Sequence, residues 1–281
     1  MRSFAVGAYK LDHALSMHEL YRTRYIRAVE HLLRSTALAE ARHFWFRGLR
    51  AFVTPLIRRA TAGRSNPTIL DCGCGTGANL ARLDRFGRAF GFDLSPVGLS
   101  IARQAGTTRV ARASVTAVPF PSGAFDLVTS FDVLYSLEDE DERAAMAEMH
   151  RVLKPGGYAI INVAAMDALR GDHSVLSHEV RRYSRHMLDE RLKRAGFVID
   201  RLTYTNFSLL PPLLIVRALQ RRRGLRPEAA AHQEITVPAA PVNAALTGLV
   251  LAESMWIRWF DVPAGSSLLC LAQKPASPTL G

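Results

Sequence analysis

Acidic residues are few beside basic ones: 25 Asp and Glu stand against 36 Lys and Arg, a formal net charge of +11. This excludes an acidic, solvating chain and favours anionic partners, whether phosphorylated substrate, anionic lipid or nucleic acid. The basic residues are scattered. Their one tight run is "RRRGLR", Arg221 to Arg226, which a solvated surface explains without any partner. Cysteine is scarcer still, with only Cys72, Cys74 and Cys270. An odd, low count in a chain this long argues against a disulfide framework. Cys72-Gly-Cys74 has no second pair and no nearby His, so no metal is expected. A reducing, cytoplasmic setting fits. Long hydrophobic runs are missing too. The most apolar stretch, "FSLLPPLLIV" from Phe207 to Val216, is short and interrupted by Pro211 and Pro212. No membrane-spanning helix is expected. The opening "MRSFAVGAYKLDHAL" has no sustained apolar segment, so no secretory leader is expected.

What is present is 281 residues, 48% of them hydrophobic, which suits one α/β domain with additional helices. Two amphipathic helical segments occupy residues 11–60. From Thr68 the rhythm becomes strand, turn, helix. "TILDCG" reads as a first strand, "RAFGFD" a second, "TRVARAS" a third, "FDLVTSF" a fourth and "YAIINVAA" a fifth. The helices between them are "ANLARLDRF", "VGLSIARQA" with Ser95 as its cap, and "EDERAAMAEMHRVL". "VIDRLTYTNF" and "SLLCLAQK" supply two more strands. This alternation predicts an α/β fold: a Rossmann-like, doubly wound, mostly parallel seven-stranded sheet with N-terminal helices and a helical insertion before the last strand. The expected division is a helical cap over 1–66, a nucleoside-binding core over 67–207, an insertion over 208–265, and a last core strand and tail over 266–281.

The glycine turn in "ILDCGCGTGANLARL" carries the chemistry. Gly73, Gly75 and Gly77 follow Asp71 at the end of the first strand. In an open parallel sheet that turn faces the ligand, and absent side chains let a ligand lie against the backbone. Asp93 ends the second strand, placed to accept both hydroxyls of a ribose. Together these predict a nucleoside cofactor. The spacing is G-x-G-x-G, with Ala78 where the dinucleotide fingerprint has its third glycine.

"LDCGCGTG", "GFDLS", "VPFPSGAFDLVTSFDVL" and "EMHRVLKPGG" stand in the order and spacing of one family. Over roughly Phe44 to Lys274 the chain resembles the class I S-adenosylmethionine-dependent methyltransferases. It is most similar to their bacterial type 11 and ubiquinone-biosynthesis-like group. The resemblance implies S-adenosyl-L-methionine as cofactor. It implies that Asp71, Gly73, Cys74, Gly75 and Gly77 cradle its methionine and ribose, and that Asp93 takes the ribose hydroxyls. Leu94 would line the adenine and Phe131 the methionine end. Arg47, in "HFWFRG", would meet the methionine carboxylate, with Trp45 packed over the site. Two positions depart from the family. Ser114 stands where many relatives have an Asp for the adenine amino group, and "VLYS" (Val133 to Ser136) stands where many read "VLEH".

Methyl transfer from a sulfonium is a direct displacement, in which alignment alone supplies up to ~7–11 kcal/mol. An oxygen or nitrogen acceptor that starts protonated also needs a base. The candidates are His173 and His178 in "GDHSVLSHEVRRYS", and Tyr135 in "VLYS". The alternative for that stretch is that its Arg and Tyr tie loops together. The expected acceptor is a small or lipid-like molecule. Nucleic acid is disfavoured, because no amino-methylation motif and no RNA-binding module is present. "LLPPLLIVRALQRRRGLR" allows peripheral contact with an anionic membrane, or a lid packed on the domain. A non-catalytic cofactor-binding module and a nicotinamide-dependent oxidoreductase stand as alternative functions.

Overall fold

The structure is a computed structural model that describes residues 33–224 and 236–276. The first expected helix, "HALSMHELYRTRYIRAVEHLLR", lies almost wholly outside the described residues; residues 33–39 are helical. Helix α1 (Phe44–Thr61) then starts on His43, whose imidazole accepts from the Trp45 amide at 3.2 Å.

Seven strands form one sheet: β1 (Thr68–Cys72), β2 (Arg88–Asp93), β3 (Val110–Arg112), β4 (Phe125–Phe131), β5 (Leu153–Ala164), β6 (Val198–Thr205) and β7 (Ser267–Gln273). Their order is β3-β2-β1-β4-β5-β7-β6, and all neighbours are parallel except at β7. Winding reverses between β1 and β4. That is the switch point at which an open α/β sheet binds its ligand, beyond the strands' carboxyl ends.

Side chains alternate across each strand, so adjacent residues serve opposite faces. Ile69, Leu127, Ile160 and Leu269 join one cluster with Phe52, Leu56 and Ile57 of α1. Leu70, Val128, Ile161 and Cys270 join the other, with Met146 and Met149 of α4 (Asp139–Val152) and Leu188 and Leu192 of α6 (Arg185–Arg194). Helices α2 (Leu80–Leu83) and α3 (Pro96–Gln104) complete the first face. Helix α1 is therefore part of the core face, continuous with the sheet it covers.

The expected helix "ANLARLDRF" is only one turn long. Its Asp84 carboxylate accepts from the Ala89 amide at 3.1 Å and from Arg109, so the chain is turned into β2 instead. A short helix, α5 (Asp172–Leu176), follows β5. The insertion carries α7 (Leu210–Arg223) and α8 (Ala240–Ile257). It springs from Thr205 and returns at Ser267; these two pair with each other, and Ser267 also pairs with Ala164 at the end of β5. Both helices thus issue from the sheet edge where the parallel strands end. Contrary to the sequence expectation, α8 has the length and composition to cross a membrane; it is the one such helix among the described residues.

Candidate active site

The glycine turn is tied to β2: the amides of Gly73 and Cys74 both donate to the Phe92 carbonyl, at 2.9 and 3.0 Å. Gly73 has φ +80°, and a Cβ there would lie 2.5 Å from Val133. Gly77 has φ +79°, and a Cβ would lie 2.8 Å from Ala102 of α3. These two glycines therefore serve close packing of the turn against its neighbours. Gly75 is different. Only the tip of Leu33 comes within 4 Å of a Cβ built on it.

Asp93 is fixed by its own surroundings. One carboxylate oxygen accepts from the Gly75 amide and the other from the Ser95 amide, each at 2.8 Å. Burial pushes its carboxyl up, and those amides draw it back. Both oxygens keep lone pairs for further donors, as vicinal hydroxyls require.

Around this carboxylate lies a cavity of about 380 Å³. Gly73, Cys74, Gly75, Asp93, Leu94 and Ser114 line it, as do Phe131, Tyr135 and Trp45. Nine residues singled out from the sequence thus meet at one cavity. Ser114 Oγ is engaged with Thr116 Oγ1 at 2.8 Å and accepts from the Thr116 amide at 3.2 Å. Burial holds the Cys74 thiol protonated, well above its usual range, so it is no nucleophile here.

Four expectations come out differently. Asp71 is buried behind the turn, where it accepts from Thr129 Oγ1 at 2.7 Å, and burial pushes its carboxyl up to about 7. Gly77 faces α3 and stands outside the cavity wall. Arg47 is exposed; Arg50, one turn further along α1, lines the cavity instead. The Arg50 Nε is buried without a hydrogen-bond partner among the described residues, and burial lowers the pKa of its guanidinium. A half-buried guanidinium with its Nε unpartnered beside a cavity suits an anionic ligand group. Finally, His178 is not part of the cavity wall, whereas its neighbours Ser177 and Glu179 are. His173 lies on α5, and its side chain is outside the described residues.

The "RRYS" stretch ties loops together. Arg181 donates to the Leu137 carbonyl at 2.5 Å and pairs with Glu142 at 3.1 Å. Tyr183 donates to Glu142 and to the Leu134 carbonyl. Arg182 makes a bidentate pair with Glu179 at 2.7 and 2.8 Å and donates to the Ala165 carbonyl.

One site residue escaped the sequence reading. Asp132 follows Phe131 directly, lines the cavity, and has φ +60°, a strained conformation for a residue with a side chain. Asn162 Nδ2 donates to its carboxylate at 2.9 Å. Burial pushes the Asp132 carboxyl up to about 7, with Asn162 opposing, Glu179 adding and Arg182 opposing again. The only sequence signal was an Asp at a strand's carboxyl end, and strand ends carry many such residues.

The fold has relatives among known proteins. Residues 70–161 match the family model described as "Methyltransferase domain". Over that stretch, a third of the chain, it is similar to S-adenosylmethionine-dependent methyltransferases. A malonyl-[acyl-carrier protein] O-methyltransferase of Serratia marcescens is 34% identical over 113 residues, 38% of this chain and 43% of that one. A demethylmenaquinone methyltransferase of Chlorobaculum parvum is 35% identical over 108 residues, 37% of this chain and 44% of that one. The chain thus spans less than half the length of these curated relatives. Among solved structures, that of the [4+2]-cyclase SpnF superimposes with a TM-score of 0.51 at 25% identity, covering 80% of this chain and 81% of the other. The family's cofactor is S-adenosylmethionine, and the residues here fit it. The matched region runs from β1 through β5 and holds Asp93, the glycine turn and Asp132. It excludes α1 and α7, so the parts of the cavity wall they supply, Trp45 and Arg50 from α1 and Leu213 and Arg217 from α7, lie outside the matched region.

Proposed function

We propose that this chain moves a methyl group from S-adenosylmethionine to a small-molecule or lipid-like acceptor by in-line displacement. The observation that carries this reading is Asp93: a carboxylate steered by two backbone amides at a cavity whose wall is a bare glycine turn. Bound there, the cofactor supplies a methyl group already activated on a sulfonium. Asp93 holds the ribose hydroxyls and Leu94 covers the adenine. Arg50 neutralises the amino-acid carboxylate, the role first expected of Arg47. Phe131 and Trp45 exclude water around the methionine end.

Asp132 holds or takes a proton at its carboxylate. With the carboxyl pushed up to about 7, it is a base near neutrality and the cavity's best-placed candidate for that work. Tyr135 stands beside it in the wall. The acceptor end is part apolar, with Leu169 and Leu213, and part polar, with the Arg182–Glu179 pair and Arg217. That mixture suits an acceptor with an apolar body and a polar or anionic group. The relatives named for malonyl-[acyl-carrier protein] and demethylmenaquinone support an acceptor of this class.

A second reading, a reaction other than methyl transfer on the same fold, draws support from the likeness to a [4+2]-cyclase. Two measurements decide. Calorimetry with S-adenosylmethionine and S-adenosylhomocysteine is expected to show binding that Asp93→Ala weakens at least tenfold; no binding overturns both readings. Incubation with methyl-labelled cofactor and a metabolite and lipid extract is expected to label a small product. Tight binding without label in any acceptor supports the second reading.

A further inference from the structure

Helix α8 turns large apolar side chains outward, away from the domain. Its buried stripe holds Thr247, Val250, Glu253, Ser254 and Ile257, three of them polar. Leu249, Leu251, Met255 and Trp256 stand on the exposed side, followed by Trp259 and Phe260 just past its end. Trp259 is 81% exposed and Trp256 60%. Single exposed apolar residues are ordinary; a contiguous helical face of them marks a contact surface.

The polar stripe explains how α8 is oriented. The Glu253 carboxylate accepts from the amides of Phe207 and Ser208, both at 2.9 Å, and from Ser208 Oγ at 2.5 Å. At the other end, the Asn243 side chain accepts from the Phe44 amide at 3.0 Å and donates to the Arg42 carbonyl at 2.9 Å. Held along its length on α1 and the start of α7, α8 lies flat on the domain. A helix so tied cannot thread a bilayer, although its length and hydropathy would suffice.

Helix α7 repeats the pattern. Pro211, Ile215, Val216 and Leu219 are exposed at helical spacing, and the helix ends in Arg221, Arg222 and Arg223. Arg258 stands between the two tryptophans that close α8. Among the described residues of both helices, the only acidic side chain is the inward Glu253. Arg223 pairs with Asp172, and Arg221 donates to the Ala168 and Arg170 carbonyls, which leaves Arg222 and Arg258 as the exposed cations beside the apolar faces. Apolar side chains, indoles and such arginines, with no acid on either helix's outer face, are the composition of a helix resting in an anionic lipid interface. Self-association fits worse, because a two-fold contact would bring these arginines against their own copies.

We infer that α7 and α8 dock this protein on the surface of an anionic bilayer, with their apolar faces in the headgroup region. Leu213 and Arg217 of α7 also line the active-site cavity, so docking sets that wall against the membrane. An acceptor drawn from the lipid phase would enter there. That consequence rests on the methyltransferase reading; the docking itself does not.

The test is flotation of the full chain with vesicles of phosphatidylcholine, with and without 30 mol% phosphatidylglycerol, at low and high salt. Binding to anionic vesicles is expected, weakened at least fivefold by high salt. Trp256→Ser with Trp259→Ser and Phe260→Ser is expected to lower partitioning at least tenfold. Arg222→Gln with Arg258→Gln is expected to weaken the preference for anionic lipid. Calorimetry with S-adenosylhomocysteine, run on every variant, reports whether the fold and the cofactor site are intact. Absence of vesicle binding by the native chain overturns the proposal, as does binding that the aromatic substitutions leave unchanged. A dimer in sedimentation that those substitutions dissociate, without vesicle binding, also overturns it and assigns the face to a second copy. Failure of cofactor binding alone would instead count against the proposed function.

Discussion

At the scale of single residues, the site rests on two carboxylates with different tasks. Asp93 is held by backbone amides and offers lone pairs; Asp132 is strained, crowded and raised to about 7. If Asp132 acts in its ionised form, kcat/KM for a protonated acceptor rises with pH and levels off above about 7. Asp132→Asn is expected to lower the plateau tenfold or more and flatten the profile, read by steady-state rates from pH 5.5 to 9. An unchanged profile would remove Asp132 from the chemistry. Arg50 and Arg47 make a matched pair one turn apart on α1. Arg50→Ala is expected to weaken cofactor binding by about tenfold, ~1.4 kcal/mol, and Arg47→Ala to leave it unchanged, both by calorimetry. Equal effects would mean that the half-buried guanidinium does not meet the ligand.

At the scale of elements, the sequence rhythm located every strand, but β5 begins at Leu153 and runs through "KPGG", which the sequence suggested as a turn before "YAIINVAA". Ser95 caps α3 as expected, accepting from the Gly98 amide at 3.2 Å, and Ser184 caps α6 in the same way. What periodicity missed was competition for side chains: Asp84 serves a strand and not a helix, so α2 is one turn. Helix α8 shows the same limit. Its apolar residues run all round it, so no stripe in the sequence says which side faces the domain; Glu253 decides by capping two amides at the start of α7. Glu253→Ala leaves those amides without a partner. It is expected to cost about 2–4 kcal/mol in urea unfolding, and Glu253→Gln distinctly less.

At the scale of the whole molecule, the sheet is fastened at the edge opposite the cavity. Asp126 accepts from Arg64 at 2.7 Å, from the Thr68 amide at 2.8 Å and from Lys154 at 2.7 Å, joining the approach to β1 with β4 and β5. Partial burial pulls its carboxyl up, but Lys154 and the Thr68 donors outweigh it and hold the carboxyl at about 2. A carboxyl depressed in the fold adds stability above its unfolded pKa near 4. That contribution is lost as pH falls toward 2. Asp126→Asn is therefore expected to lose about 2 kcal/mol at pH 7. The difference from the native chain should shrink steadily between pH 4 and 2 in denaturant titrations. A gap independent of pH would mean that packing, and not the charge, is what Asp126 contributes.

The sequence by itself determined the strand–helix alternation, the glycine turn and Asp93, because backbone periodicity and turn geometry are local and act over a few residues. It also carried the family motifs from β1 to β5. Only the tertiary structure decided which arginine of α1 faces the cavity, since Arg47 and Arg50 differ by one helical turn and only packing fixes the turn's direction. It alone placed His178 outside the cavity wall and Asp132 within it. It alone turned α8 inside out, because the direction of a helix face is set by partners distant in the chain: Phe207, Ser208 and Phe44 for α8, and the sheet for α1.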